Sequence, residues 1–350
     1  MQANLKDNTV CFNSETVNRK MPSNYLEDEL DFCRDEFSYQ TNQICKVSFK
    51  DCYVNFKGHL YNSRYSLIEN SLIAKGFDSD SFFCYLRTVV LGKKRKLTKG
   101  NSYLLCFDQW SDNHYHWIND FLPRLCVLAE QLKNYILLLP DVPYIKNVGL
   151  QMLPYFDLQP DQIEWIQPNE ILKIPSLYFI SHPVITGRSH DTLLELLKKR
   201  LKLPDNAGQK KRRLYISRSK STQRFILNEA AVITLLQKYN FEVVCYEDLN
   251  IHEQIALTRE ANLLVSIHGA GLANAIFMND NSSVLEFRRD KIYINQCFWH
   301  LSSALGLKYY YLFGEPDRES AIEGRGCNLT VDIDKLQMAI ERILQDLNEY

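Results

Sequence analysis

The feature that most limits what this chain can fold into is a rhythm in its second half. Short apolar runs alternate with amphipathic stretches of helical spacing. RLYISR from Arg213, FEVVCY from Phe241, LLVSIH from Leu263, SVLEF from Ser283 and KYYYLF from Lys308 read as strands. Between and after them, EAAVITLLQKY, IHEQIALTREA, NQCFWHLSSALG and DIDKLQMAIERILQDL read as helices. Asn228 and Asn250 are expected N-caps, and Glu229 suits the first turn that follows. Strands that alternate with helices pair in parallel and carry helices on both faces.

The first half repeats this grammar from Ser102. SYLLCF and YILLLP read as strands, and HWINDFLPRLCVLAEQL from His116 as a helix that Pro123 kinks or breaks. A helical stretch near Val148 to Phe156 and strand-like pieces around Glu164 and Tyr178 follow. LLELLKKRLKL ends at Pro204, and the polar DNAGQKKRR reads as a linker. Upstream, residues 1 to about 40 are polar and read as irregular, while Val47 to Tyr61 alternates as antiparallel strands do. KKRKLTKG, Lys93 to Gly100, reads as a solvated basic loop, with contact to an anionic substrate or lipid as the sharper alternative. A length of 350 residues suits two domains. The expected division is 1–99 as lead-in and β-rich segment, 100–205 as one Rossmann-like domain and 206–350 as another.

A net charge of −1 gives no electrostatic reason to expect nucleic acid. The ten cysteines are scattered without a C-x-x-C pair, which reads as reduced thiols rather than a disulfide framework. The first twenty residues have no apolar core, and no run approaches the ~18 apolar residues that span a bilayer. The expectation is a cytoplasmic protein, with a peripheral contact at the inner face of the membrane left open.

Leu263 to Phe287, LLVSIHGAGLANAIFMNDNSSVLEF, carries the strongest chemical signal. A buried strand delivers His268 to the carboxyl edge of the sheet. Gly269 and Gly271, flanking Ala270, permit a sharp turn and close approach by a ligand. The following helix aims its N–H groups and positive dipole end at the turn, which binds phosphate. The glycines match part of G-x-G-x-x-G, with Asn274 in the third position, and Glu286 ends the next strand near the place of a ribose-binding acid. A ligand-free turn, a satisfied buried histidine and an ordinary strand-end acid are the plainer alternatives. An esterase would need G-x-S-x-G and an NTPase a P-loop; the sequence contains neither.

A second constellation is RSKSTQRFILNE, Arg218 to Glu229. Arg218 falls at a strand end on the same edge as His268, with Lys220 and Arg224 in the loop beyond. Guanidinium groups there suit a diphosphate, and solvated loop charges are the alternative. Lys210, Lys211, Arg212 and Arg213 are expected to face solvent. A third is NHYHWINDFLPRL, in which His114, His116 and Asp120 gather at a strand-to-helix junction. His116 and Asp120 are four apart and share a helix face, as a general base and its partner would. A metal reading matches no complete site. Trp117 reads as packing ahead of a stacking platform.

In chain order HYHWINDFLPRL, RLYISR, RFILNE, the EQIAL helix, HGAGLANAIFM and VLEF resemble glycosyltransferase family 61, over roughly residues 100–315. The resemblance implies a GT-B-type α/β fold: two Rossmann-like domains facing across a cleft, with a short β-rich lead-in. It implies an inverting transfer from a nucleotide sugar, taken to be a UDP-sugar, to a glycan or glycolipid acceptor. Arg218, Arg224, His268, Gly269, Ala270, Gly271, Asn274 and Glu286 form the expected donor site, and His116 and Asp120 the catalytic pair. Without a leader the bacterial, cytoplasmic type is expected, in capsular or lipopolysaccharide synthesis. No cofactor and no obligatory metal are expected, because arginines and a helix N-terminus can take a metal's charge role. Two other classes stay open: an NAD(P)-dependent oxidoreductase using the GAGLAN turn, and a catalytically silent nucleotide- or glycan-binding protein.

Overall fold

A computed structural model describes residues 5–72, 90–201, 211–289, 295–318 and 326–348. Most of the expected linker, residues 202–210, lies outside them. The chain divides into two compact units. The first comprises Met1–Val17, Gln40–Thr186 and Thr192–Lys202; the second comprises Asn18–Tyr39, Gly187–Asp191 and Leu203–Tyr350. Both are of mixed α/β construction.

Among the described residues the first unit is built on a sheet of eight strands: β1 (Leu5–Phe12), β2 (Ile44–Asn55), β3 (Leu60–Tyr61), β4 (Lys93–Lys96), β5 (Tyr103–Leu105), β6 (Ile136–Pro140), β7 (Ile163–Ile166) and β8 (Glu170–Ile180). Their order is β1-β2-β8-β5-β6-β7, with β3 on β2 and β4 on β8. The strands β4, β5 and β8 pair in parallel, as do β5, β6 and β7. The alternating segment supplies the antiparallel part, with β2 running against β8 from Asn55↔Ile171 to Lys46↔Ile180. The sheet is therefore mixed rather than purely parallel. KKRK is not a loop. Lys93–Lys96 hydrogen-bonds in parallel to Glu170–Lys173, with Arg95 ion-paired to Glu164 and Glu170. An all-basic strand shows no apolar alternation, so the segment reads as a loop in sequence.

Pro123 does not end its helix. The turn Trp117–Phe121 is a π-helix, in which the N–H of Leu122 reaches the carbonyl of Trp117. A proline ring would clash with the carbonyl four residues back, and widening the turn absorbs it. The α-helix then resumes at Leu122–Cys126.

The second unit has β9 (Arg212–Ile216), β10 (Phe241–Val244), β11 (Ala261–Ile267), β12 (Ser283–Arg289), β13 (Lys308–Pro316) and β14 (Leu329–Thr330). The order is β10-β9-β11-β12-β13-β14, parallel except for β14. From β9 the chain steps outward to β10, then returns past β9 to β11. Right-handed crossovers therefore put helix Glu229–Lys238 on one face and helices Ile251–Arg259 and Cys297–Ala304 on the other. Glu229–Lys238 and the closing helix Ile333–Asp346 share a core with Tyr215, Val265, Leu285 and Tyr310. Asn250 caps its helix as expected, accepting from the N–H groups of His252 and Glu253. Asn228 does not: its side chain bonds both backbone groups of Val331. The polar lead-in is not loose either. Ser23 N–H donates to the Tyr309 carbonyl at 2.7 Å, and Trp299 Nε1 to the Lys20 carbonyl at 2.7 Å.

Candidate functional site

The reversal of strand order leaves a crevice at the carboxyl ends of β9 and β11, where open α/β sheets receive ligands. Two of the residues singled out from sequence meet there. Arg218 follows β9 by two positions, and His268 and Gly269 follow β11 directly. The Arg218 guanidinium fills the space beside the Cα of Gly269, so that any Cβ there would overlap its Nη1. Its Nε donates to the Arg224 carbonyl at 3.0 Å and its Nη2 to Ser221 Oγ at 2.8 Å. The loop from Arg218 to Arg224 thus wraps its own first guanidinium.

Arg224 has left-handed backbone, φ 59°, and its side chain lies against Gly326, itself at φ 60°. Arg224, His268, Arg289 and Gly326 line a small opening. Neither Arg218 nor Arg224 forms an ion pair with a carboxylate among the described residues. Burial, with the neighbouring charge of Arg224, pushes Arg218 down to about 10, so it stays cationic at neutral pH. Arg224 Nε is buried without a hydrogen-bond partner. Such groups cost stability unless a ligand satisfies them. The arrangement suits a compact polyanion.

His268 directs Nδ1 at a carboxylate oxygen of Glu286 in a short contact. Glu286 is 1% exposed, and Tyr309 donates to its other oxygen at 2.6 Å. Its carboxylate is turned to His268 and Tyr309, away from solvent. Burial lowers His268 and outweighs the attraction of Glu286. For Glu286 burial works upward, yet the His268 contact, Arg288 and Tyr309 leave it lowered and ionised.

The remaining expected donor residues make contacts within the protein. A Cβ on Gly271 would approach Tyr246 at 3.3 Å and Ile216 at 3.5 Å, so this glycine packs closely against both. Asn274 is fully buried and donates to Gln254 at 2.9 Å. Ala270 opens the turn Ala270–Phe277, which is a 3₁₀ helix. Lys220 pairs with Asp248. Arg212 pairs with Glu242 and Glu260, and Arg213 donates to the Tyr239 carbonyl, so neither is merely solvated.

In the first unit His116 and Asp120 do meet: Nδ1 lies 2.7 Å from Asp120 Oδ2. Thr186 Oγ1 lies 3.4 Å from both atoms. Burial disfavours the charged ring, but the hydrogen bond to Asp120 and the charges of Asp120 and Asp108 outweigh it, and His116 is raised. Asp108 follows β5. Burial pushes it up to about 6, with Asp120 adding to the rise and Arg124 opposing it. Asp108 Oδ1 accepts from Trp110 N–H at 2.9 Å, and the Trp110 ring lies 5.3 Å from that of His116. A carboxylate on Nδ1 fixes the tautomer and raises the basicity of the ring, as a general base requires. Trp117 is wholly buried and stacked on Phe121, which is packing. His114 turns to Tyr144 instead, at 2.9 Å.

Sequence reasoning missed Asp108, Thr186, Arg289 and Tyr309. Asp108 stands at a strand end, where a search of carboxyl edges would find it. Tyr309 carries no local signal, since only the sheet brings it beside Glu286. Among the described residues no group of three or more His, Cys, Asp or Glu side chains could hold a metal ion. Asp332-Ile333-Asp334 has the Asp-x-Asp spacing of metal-assisted donor sites, but Asp332 is a helix N-cap, accepting from the N–H groups of Asp334 and Lys335. The other such triplet, Asp78–Asp80, lies outside the described residues.

Comparison with known proteins follows the same residues. The chain is 31% identical over 139 residues to the EGF domain-specific O-linked N-acetylglucosamine transferase of Drosophila melanogaster, a match covering 37% of this chain and 26% of that protein. The chain thus spans about a quarter of the length of this curated relative. The glycosyltransferase 61 family model matches residues 114–285, from the His116–Asp120 pair through Arg218 and His268 to the strand of Glu286. Over these residues the chain is similar to glycosyltransferase family 61.

Proposed function

We propose that the chain is an inverting glycosyltransferase that takes a nucleotide sugar, a UDP-sugar in the first instance, at the carboxyl edge of β9 and β11. The observation that carries this reading is the pair of guanidinium groups at the switch point, with Arg224 Nε buried and unpartnered. The diphosphate meets Arg218, Arg224 and His268. These groups stabilise the departing nucleoside diphosphate without an obligatory metal or other cofactor. His116, oriented by Asp120, takes the proton of the acceptor hydroxyl as its oxygen attacks the anomeric carbon and the bond to the diphosphate breaks. This chemistry asks for a GT-B-type arrangement, in which two Rossmann-like domains close a cleft on both substrates.

The name of the Drosophila relative makes N-acetylglucosamine the first sugar to try. We take the acceptor to be a glycan or glycolipid of a bacterial surface polysaccharide, made on the cytoplasmic side of the membrane with a peripheral contact. Among the described residues no helix is long and apolar enough to cross a membrane. A thermal-shift screen of UDP-, GDP- and CMP-sugars against NADH tests the reading. A rise in melting temperature with a nucleotide sugar, followed by release of its nucleotide on turnover, is expected. A rise with NADH alone would return the GAGLAN turn to the oxidoreductase reading, although Glu286, turned to His268, is poorly placed for a ribose.

A further inference from the structure

His268 sits at the head of a buried chain that the donor reading leaves unexplained. Glu286 stands behind it on β12, Tyr309 donates to Glu286 from β13, and Arg288 Nη1 lies 3.4 Å from the Tyr309 hydroxyl and 2.7 Å from Gln296 Oε1. All of these side chains are at most a few per cent exposed. A carboxylate in so dry a place is costly. It is more than a strand-end acid needs and less accessible than a ribose ligand should be.

We propose that Glu286, Tyr309 and Arg288 are positioning residues for His268, through which the site takes up a proton on binding a nucleoside diphosphate and meets the anion with an imidazolium. The inference rests on the donor site proposed above. The charged groups around the ring set the direction. On the ligand side stand Arg224 and Arg289, with Arg218 over the adjacent Gly269. Behind stand Glu286, Arg288 and the phenol of Tyr309; the buried Cys297 thiol, also near Glu286, is pushed well up by burial and stays neutral. Phe298 covers the ring edge-on at 5.0 Å and carries no charge. Before the anion arrives, burial and the cations hold the imidazole neutral. A diphosphate reverses the field on the ligand side. The imidazolium it favours already has a carboxylate on Nδ1. Tyr309 keeps the second oxygen of Glu286 occupied and the first directed at the ring.

The test is calorimetric titration of UDP, GDP and CDP into the full chain, in buffers of differing ionisation enthalpy. It is run above about pH 7, where the last phosphate proton of the free nucleotide is gone. Net uptake approaching one proton is expected for the wild type, with affinity falling as pH rises. Glu286→Gln should lose most of the uptake and weaken binding about tenfold. Tyr309→Phe should lose part of it while keeping the wild-type melting temperature within a few degrees, and it carries the test if Glu286→Gln fails to fold. His268→Asn should bind with no uptake. Nucleotide binding without proton uptake in the wild type, or undiminished uptake in Tyr309→Phe and Glu286→Gln, overturns the inference and leaves the donor site standing. No binding of any of the three nucleotides overturns both.

Discussion

The guanidinium of Arg218 occupies the space that a side chain on Gly269 would need. The glycine thus makes room for another part of the protein, and through it for the ligand. Gly269→Ala should displace Arg218 and weaken nucleoside-diphosphate binding at least tenfold. Gly271→Ala, whose Cβ would come nearest Tyr246 and Ile216, should leave affinity within about twofold and lower the melting temperature slightly. Calorimetric affinities of the two variants separate a site glycine from a packing glycine. Equal affinity losses would contradict the assignment.

The pair in the first unit has a pH signature. As a base His116 must be neutral, and its pKa is raised by Asp120 against burial. Turnover should therefore rise with pH through a value above the ordinary imidazole value of 6.5. Asp120→Asn should move that limb to lower pH, because the raising charge is gone. Turnover should fall ~10²–10⁴-fold in His116→Ala with donor affinity unchanged. A pH limb that stays in place in Asp120→Asn would mean that another group is the base.

Metal dependence is a further outcome to measure. With arginines and His268 taking the diphosphate, turnover should survive excess EDTA. Loss of turnover in EDTA, restored by manganese or magnesium, would contradict the metal-free mechanism.

Acid stability has a separate origin in the second unit. Hydrogen bonds from His300 and, against the cost of burial, from Arg188 hold Glu36 down to about 2, from an ordinary 4.5. Arg188 Nε lies 2.9 Å from Glu36 Oε2, and His300 Nε2 lies 3.1 Å away. A carboxylate lowered in the folded state contributes stability in full above its unfolded pKa. That contribution is lost as pH falls from about 4.5 towards 2. Urea unfolding of Glu36→Gln should be less stable than wild type at pH 7, and the difference should shrink steadily in this window. A gap that persists to pH 2 would assign the effect to packing.

The legible parts of the molecule are those in which one local pattern decides the structure. The runs ending at Ile216, Ile267 and Phe287 are apolar, bounded and β-branched, and they form three neighbouring strands of the second sheet. Arg218 and His268 fall on one edge because both follow such runs. Helical spacing pairs His116 with Asp120, even across a π-turn. Failures came where distant residues compete for a side chain. Asn228 leaves its helix for Val331 and Glu286 is taken by Tyr309, and neither partner lies near in sequence. Lys93–Lys96 failed differently, because a charged strand is stabilised by backbone pairing and by Glu164 and Glu170.

The most direct test of the account is the affinity of UDP for folded Arg218→Ala. A charge-assisted hydrogen bond is worth ~1.5–3 kcal/mol, which corresponds to a ten- to hundredfold loss of binding. Arg218→Lys should recover only part of it, since an ammonium cannot form the two-pronged contact. The melting temperature should fall modestly, because the guanidinium also holds the Arg224 carbonyl and Ser221. UDP affinity unchanged from wild type in a folded Arg218→Ala protein would contradict the placement of the donor site, and with it the proposed mechanism.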